Sequence, residues 1–283
     1  MKITGLSVPV LLVAVVFLAG CVHVTVNTPP VPGAATTVVT PVPTTIPDKE
    51  MPVPATSVSA VNAAPGMTDS GSGFIVPVGD PSRRGDRSFT FTYAPDGVPR
   101  EYTIRVPVNM SVLYGARESQ VLRPATSEDV PAVKRYVATF ERDPSQEELY
   151  TSVLTQLRNA RYQNGDYLND DQYLELIVAF VQQIPYVQNS GDKRKYPVEV
   201  IYDKAGDSDE KSLLLANLLA RENYDVALLF FEDERIQEVG IRIHNEVPDS
   251  NIQVFSNSKK EYVYVEAASS GLNFIGNTPS VLK

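Results

Sequence analysis

Gly206-Asp207-Ser208-Asp209-Glu210-Lys211-Ser212-Leu213-Leu214-Leu215-Ala216 is the stretch that decides the fold. Asp and Ser are preferred N-cap residues, and Asp207 with Glu210 three positions on has the spacing of a capping box. Leu213, Leu214, Leu215, Leu218 and Leu219 follow as an apolar stripe. Asn223 then tolerates the left-handed backbone found just past a helix end. The pattern predicts a helix from about Asp207 to Asn223. Val226 to Phe231 comes next as a short unbroken apolar run, read as a strand.

Further strands are expected at about Ile236 to Ile243, Ile252 to Phe255 and Tyr262 to Glu266. In the first of these Val239, Ile241 and Ile243 share a core face, with Glu238, Gly240, Arg242 and His244 opposite. Asn257-Ser258-Lys259-Lys260 makes the last two a hairpin. Upstream, a helix from about Asp170 to Ile184 turns Tyr173, Leu174, Ile177, Val178 and Val181 inward and ends at Pro185. Asn164, Asp166, Asn169, Asp170 and Asp171 lack the spacing of a calcium loop and read as a cap-rich helix start. Another helix carries Leu149, Val153, Leu154 and Leu157, with Ser145 to Glu148 as its capping box.

Before the helices, Phe89, Phe91 and Tyr93 alternate with threonines, Ala94-Pro95-Asp96-Gly97 turns, and Tyr102, Ile104, Val106 and Val108 alternate again. That is a β hairpin, with Pro107 marking an edge. Asn109-Met110-Ser111 has the pattern of a glycosylation sequon. Helices followed by antiparallel strands give an α+β layer fold. The expected division is a β-rich region at 74–140 and a helix-and-strand core at 141–283.

The N-terminus is of another kind. Met1-Lys2 precedes an apolar run from Leu6 to Leu18, shorter than the ~20 residues a bilayer span needs and suited to a signal peptide. Leu18-Ala19-Gly20-Cys21 resembles a lipobox, so residues 1–21 read as a lipoprotein-type leader with Cys21 the lipidation site. Two acyl chains anchor a protein stably where one is marginal. Residues 22–73 are Pro, Thr, Val, Ala and Ser without an aromatic, a composition that cannot offset its ordering entropy and reads as an extended stalk. The remainder is expected outside the cytoplasmic membrane.

The chain has 283 residues, a net charge of −9, one cysteine and two histidines, His23 and His244. An acidic surface repels a polyanion, so nucleic acid is excluded as a partner. The basic runs Arg83-Arg84 and Lys193-Arg194-Lys195 read as solvated loops. One cysteine excludes an intrachain disulfide and a Cys/His zinc site. No metal and no cofactor are expected.

Ile184-Pro185-Tyr186-Val187, Tyr196-Pro197-Val198-Glu199-Val200, the Gly206 helix start and Tyr224-Asp225-Val226-Ala227-Leu228-Leu229 together resemble the transglutaminase-like superfamily, with its papain-like core. In that family a cysteine opens the helix, a histidine precedes a Val-Gly pair on the next strand, and an acid stands on the strand after. The helix dipole and imidazolium favour the thiolate there, and the acid orients the imidazole. The matching positions here are Ser208, Ile236 before Val239-Gly240, and Glu266 in Tyr264-Val265-Glu266. The resemblance implies a papain/transglutaminase-like fold whose thiol and imidazole are gone.

A serine nucleophile needs an adjacent base. His244 stands eight residues beyond Ile236, roughly 26 Å along a strand. Ser208 and Lys211 have the S-x-x-K spacing of serine-lysine acyl enzymes, but Asp209 and Glu210 favour the charged lysine. The expectation is a lipid-anchored pseudoenzyme, not an enzyme, that binds a peptide or protein in a vestigial cleft bordered by Asp207, Ser208, Ile236 and Glu266. The alternative is a hydrolase or acyltransferase using Ser208 with Lys211 or another base.

Overall fold

The computed structural model describes residues 10–13, 73–119, 121, 130–165, 167–189, 191, 193–231, 236–242, 254–257, 260–268, 273 and 275–276. Cys21, His23, His244 and positions 22–72 of the stalk lie outside the described residues. Residues 1–25 and 71–283 form one compact unit, and 26–70 are assigned to a second. The first unit is α+β. Among the described residues no helix is long and apolar enough to cross a membrane.

Strand β1, Val10–Val13, falls inside the apolar run read as a signal peptide and pairs with the strand at Val226–Phe231, and the expected hairpin is β2, Arg84–Tyr93, with β3, Arg100–Asn109. Phe89 pairs with Ile104 and Phe91 with Tyr102, so the apolar halves of both strands fall on one face. Gly97 takes φ 80 at the turn, a left-handed value that favours glycine. The buried face packs on helix α4, Asp170–Gln182, where Phe180 meets Phe89 edge-on at 5.2 Å and Phe91 at 5.5 Å.

Three helices join the three expected ones. Helix α1, Met110–Glu118, follows β3 without a linker, because Asn109 ends the strand and caps the helix by accepting from Ser111 N. Asn109 Nδ2 also donates to Glu148 Oε2 at 3.0 Å, so the sequon asparagine has a structural task. Helix α2 is Val130–Glu141, and α5, Pro197–Asp203, starts on a proline with Glu199 Oε2 accepting from Tyr196 N. The region 74–140 thus holds two helices besides its hairpin.

Helix α3 is Glu147–Ala160, and the expected Ser145 capping box does not form. Asp143 caps a preceding 3₁₀ turn instead, its Oδ1 accepting from Ser145 N at 2.9 Å and Ser145 Oγ at 2.6 Å. The proline at 144 fits the first helical position, which moves the cap one residue upstream of it. Helix α4 has Asn169 as N-cap in a capping box with Gln172, as the cap-rich reading implied.

Helix α6, Ser208–Arg221, is capped by Asp207 and followed by Asn223 at φ 68. It is buried on every side from Ser208 to Ala220, which makes it the central helix and explains why leucine surrounds its axis. Strands β4, Val226–Phe231, β5, Ile236–Arg242, β6, Val254–Asn257, and β7, Lys260–Val265, complete an antiparallel sheet in the order β1-β4-β5-β7-β6. Asn257 pairs with Lys260, which makes β6 and β7 the expected hairpin. One hydrophobic core runs from the β2–β3 hairpin through α4 and α6 to β4.

Candidate functional site

Ser208 is the first residue of α6 and is 8% exposed. Asp207, just before it, accepts from Glu210 N at 3.0 Å and donates its own N–H to Glu210 Oε2 at 3.0 Å. Glu210 Oε1 accepts twice more, from Asn189 Nδ2 at 2.8 Å and Lys195 N at 2.9 Å. A buried carboxylate is stable with this many donors. Gly206 leaves room for the arrangement, since a Cβ there would lie 3.4 Å from Glu210 Oε2 and 3.3 Å from Val200 Cγ1.

Sequence reasoning missed the cation of this site. Arg194 was expected in a solvated loop but is buried, 3.4 Å from both Asp207 Oδ2 and Asp209 Oδ2. Its Nη1 donates to Asn189 O and Gly191 O at 3.3 and 3.0 Å, tying Asn189 and Gly191 to the cation at the helix start. The two carboxylates stand beyond the ~2.7–2.9 Å of a strong charge-assisted bond, so the attraction there is mainly Coulombic. A guanidinium within a basic triplet carries no signal of burial.

One turn into the helix, Lys211 is fully buried and donates to Gln182 O at 3.0 Å and Ala268 O at 3.4 Å. Gln182, from the end of α4, donates to Glu266 O at 2.8 Å and Asn273 O at 2.9 Å. Glu266 is buried just past β7, where Oε2 accepts from Tyr264 OH and Oε1 from Ala268 N, each at 3.0 Å. The structure therefore brings the region around Lys211 and Glu266 together through Gln182. Ile236 opens β5 opposite Phe231, and its side chain is outside the described residues.

The rim of the site is Tyr186 and Val187, 45% and 53% exposed. Tyr186 bridges to Gly206 in parallel, with Val187 N donating to Gly206 O at 3.1 Å. Partial burial and then the carboxylates of Asp207, Asp209 and Glu210 push the Tyr186 hydroxyl above its ordinary pKa. A small pocket of about 40 Å³ is bordered by Tyr93, Glu175, Val178, Gln182 and Ile275 and has room for no more than a few waters. Among the described residues no group of three or more His, Cys, Asp or Glu could hold a metal ion.

Comparison with protein-family models, with curated proteins and with solved structures finds no match to this chain. The Lys211 ammonium is engaged with main-chain carbonyls, Glu266 with Tyr264 and Ala268 N, Glu210 with main-chain N–H groups and Asn189, and Asp207 and Asp209 face Arg194, an arrangement suited to holding helix ends together.

Proposed function

We propose that this is a membrane-tethered extracytoplasmic protein with a transglutaminase-like, papain-like core that has lost acyl-transfer chemistry and acts as a binding or scaffolding module. The observation that carries the reading is the engagement of Lys211, three positions after the buried Ser208, with two main-chain carbonyls. A serine nucleophile requires a base with a free lone pair facing the hydroxyl. Glu266, at the family's acid position, has both oxygens accepting hydrogen bonds. A peptide or protein ligand approaches along the exposed Tyr186–Val187 rim rather than reaching Ser208 directly.

The full chain, solubilised in detergent, is expected to show no peptidase, amidase or amine-incorporation activity. Turnover that disappears in Ser208→Ala would establish the rival reading, Ser208 activated by Lys211 or another base. The tether has its own test. Cys21→Ser is expected to abolish incorporation of labelled fatty acid, and an unchanged label sinks the lipid-anchor reading.

A further inference from the structure

One edge of the five-stranded sheet is completed by a strand from the run that reads as a leader. β1 pairs antiparallel with β4, Val10 opposite Phe231, Leu11 opposite Phe230, Leu12 opposite Leu229 and Val13 opposite Leu228. On its other side β4 pairs with β5 along its whole length, from Val226 opposite Ile241 to Phe231 opposite Ile236. Among the described strands, β4 is therefore interior only while β1 is present. A leader cut off before Cys21 takes β1 with it and leaves β4 at the edge. Main-chain groups of alternate residues in Leu228–Phe231 then lose their partners.

Edge strands are ordinarily blunted by charge, proline, a bulge or shortness. β6, at the opposite edge, follows that rule, with four residues ending in Ser256-Asn257. β4 does not. It is Val-Ala-Leu-Leu-Phe-Phe, without charge or proline, and Val226 to Leu229 are buried with β1 in place. An unbroken apolar run suits a strand covered on both sides. Strand addition exploits such an edge: main-chain hydrogen bonds supply affinity, and side chains at alternate positions supply selectivity. β1 shows what fits, an uncharged extended segment of Val and Leu running antiparallel. A second copy's β4 has similar residues. Full antiparallel pairing of two copies, however, sets Asp225 of each against Glu232 of the other, like charges directly opposed at both ends.

We propose that the β4 edge is a strand-acceptor site: β1 fills it in the uncut chain, and the cut chain presents it to an extended apolar segment of a partner protein. This rests on residues 1–21 being a removable leader and is independent of the α6 site. The pairing is tested in the uncut full chain in detergent, with Cys21→Ser, Leu12→Cys and Leu229→Cys, so that the two new thiols stand alone. Oxidation is expected to close an intrachain disulfide, since directly paired strand residues lie within the Cα separation that a disulfide tolerates. Leu12→Cys with Val226→Cys, three residues out of register and so roughly 10 Å further along, should close none. Equal yield from both pairs, no disulfide in the first, or a disulfide between two chains overturns the assignment.

The open edge is tested on the chain cut before Cys21, using a synthetic Ser7–Val16 peptide with two added C-terminal lysines for solubility. Bound peptide is expected to slow amide exchange in Val226–Phe231 about tenfold and to leave Lys260–Val265 unchanged. The same peptide with Leu11→Pro and Leu12→Pro lacks ladder donors on either side of the strand and should protect nothing. Unaltered exchange with the native peptide overturns the acceptor site alone. Equal protection by the proline peptide means general apolar adsorption and overturns it too. If cells leave residues 1–20 attached, the leader reading and the opening of the edge fall together, while the disulfide still decides the pairing.

Discussion

Gly115 of α1 meets the chain that enters the domain, and the contact is unforgiving. A Cβ there would lie 2.1 Å from Val76 O and 2.8 Å from Val76 C, which are backbone atoms and cannot rotate away. Gly115→Ala is therefore expected to cost about 2–3 kcal/mol, read as a lower Tm. An unchanged Tm would mean that the entering segment does not rest on α1. Arg194 is a second sensitive residue. Arg194→Met leaves Asp207 and Asp209 buried without their guanidinium, which should cost about 3–5 kcal/mol in urea denaturation. Glu199 behaves in the opposite sense. Burial raises its carboxyl above 4.5, only partly offset by the bond from Tyr196 N. The fold thus favours the protonated form, and stability present below pH 4.5 is lost as pH rises through the raised value. Glu199→Gln keeps an acceptor for Tyr196 N without the buried charge. Its Tm should match the native chain near pH 4 and exceed it by roughly 1–3 °C at pH 7. Ser208 and Asp207 were legible in the sequence because capping is local. Gln182 and Arg194 were not, because their partners lie on other elements and no local pattern points to them.

Elements read well where one periodicity persists. The hairpin was visible because Phe89, Phe91, Tyr93, Tyr102, Ile104 and Val106 alternate cleanly, and all six are buried. Helix α2 has helical spacing in Val133, Tyr136, Val137 and Phe140, all buried, within the region that the strand alternation assigns to β structure. Helices α1 and α5 offered less, since the first shares its cap with a strand end and the second has only seven residues. The caps give a clean comparison at this scale. Asp143 Oδ2 accepts from Ile75 N at 2.8 Å while Oδ1 holds Ser145, so one buried carboxylate ties the entering segment to the start of α3. Asp143→Ala should cost about 2 kcal/mol, the upper end for a cap, whereas Ser145→Ala should stay within about 0.5 kcal/mol. Equal costs would restore Ser145 as the cap.

For the whole molecule, the question is whether the hairpin is an appendage or part of the core. The sequence suggested a boundary near residue 140, because alternating strands give way there to helical spacing. Packing runs across that line. Phe89 and Phe91 lie against Phe180 of α4, Gln183 Nε2 donates to Thr92 O at 2.6 Å, and Thr92 N donates to Gln183 Oε1 at 2.9 Å. Tyr93 OH donates to Glu175 Oε2 at 2.6 Å, and Lys204 reaches Phe89 with its ammonium 5.3 Å from the ring. Helix α4 is apolar around most of its circumference, so without the hairpin it would present Phe180 and its neighbours to water. Burying one such ring contributes about 1.5–3 kcal/mol, and the net stability of a domain is only about 5–15 kcal/mol. Residues 141–283 expressed alone should therefore lack a cooperative thermal transition and bind ANS, while residues 73–283 melt in a single step. Two separate transitions in the longer chain, one assignable to 141–283, would show that the hairpin and the helical core fold independently.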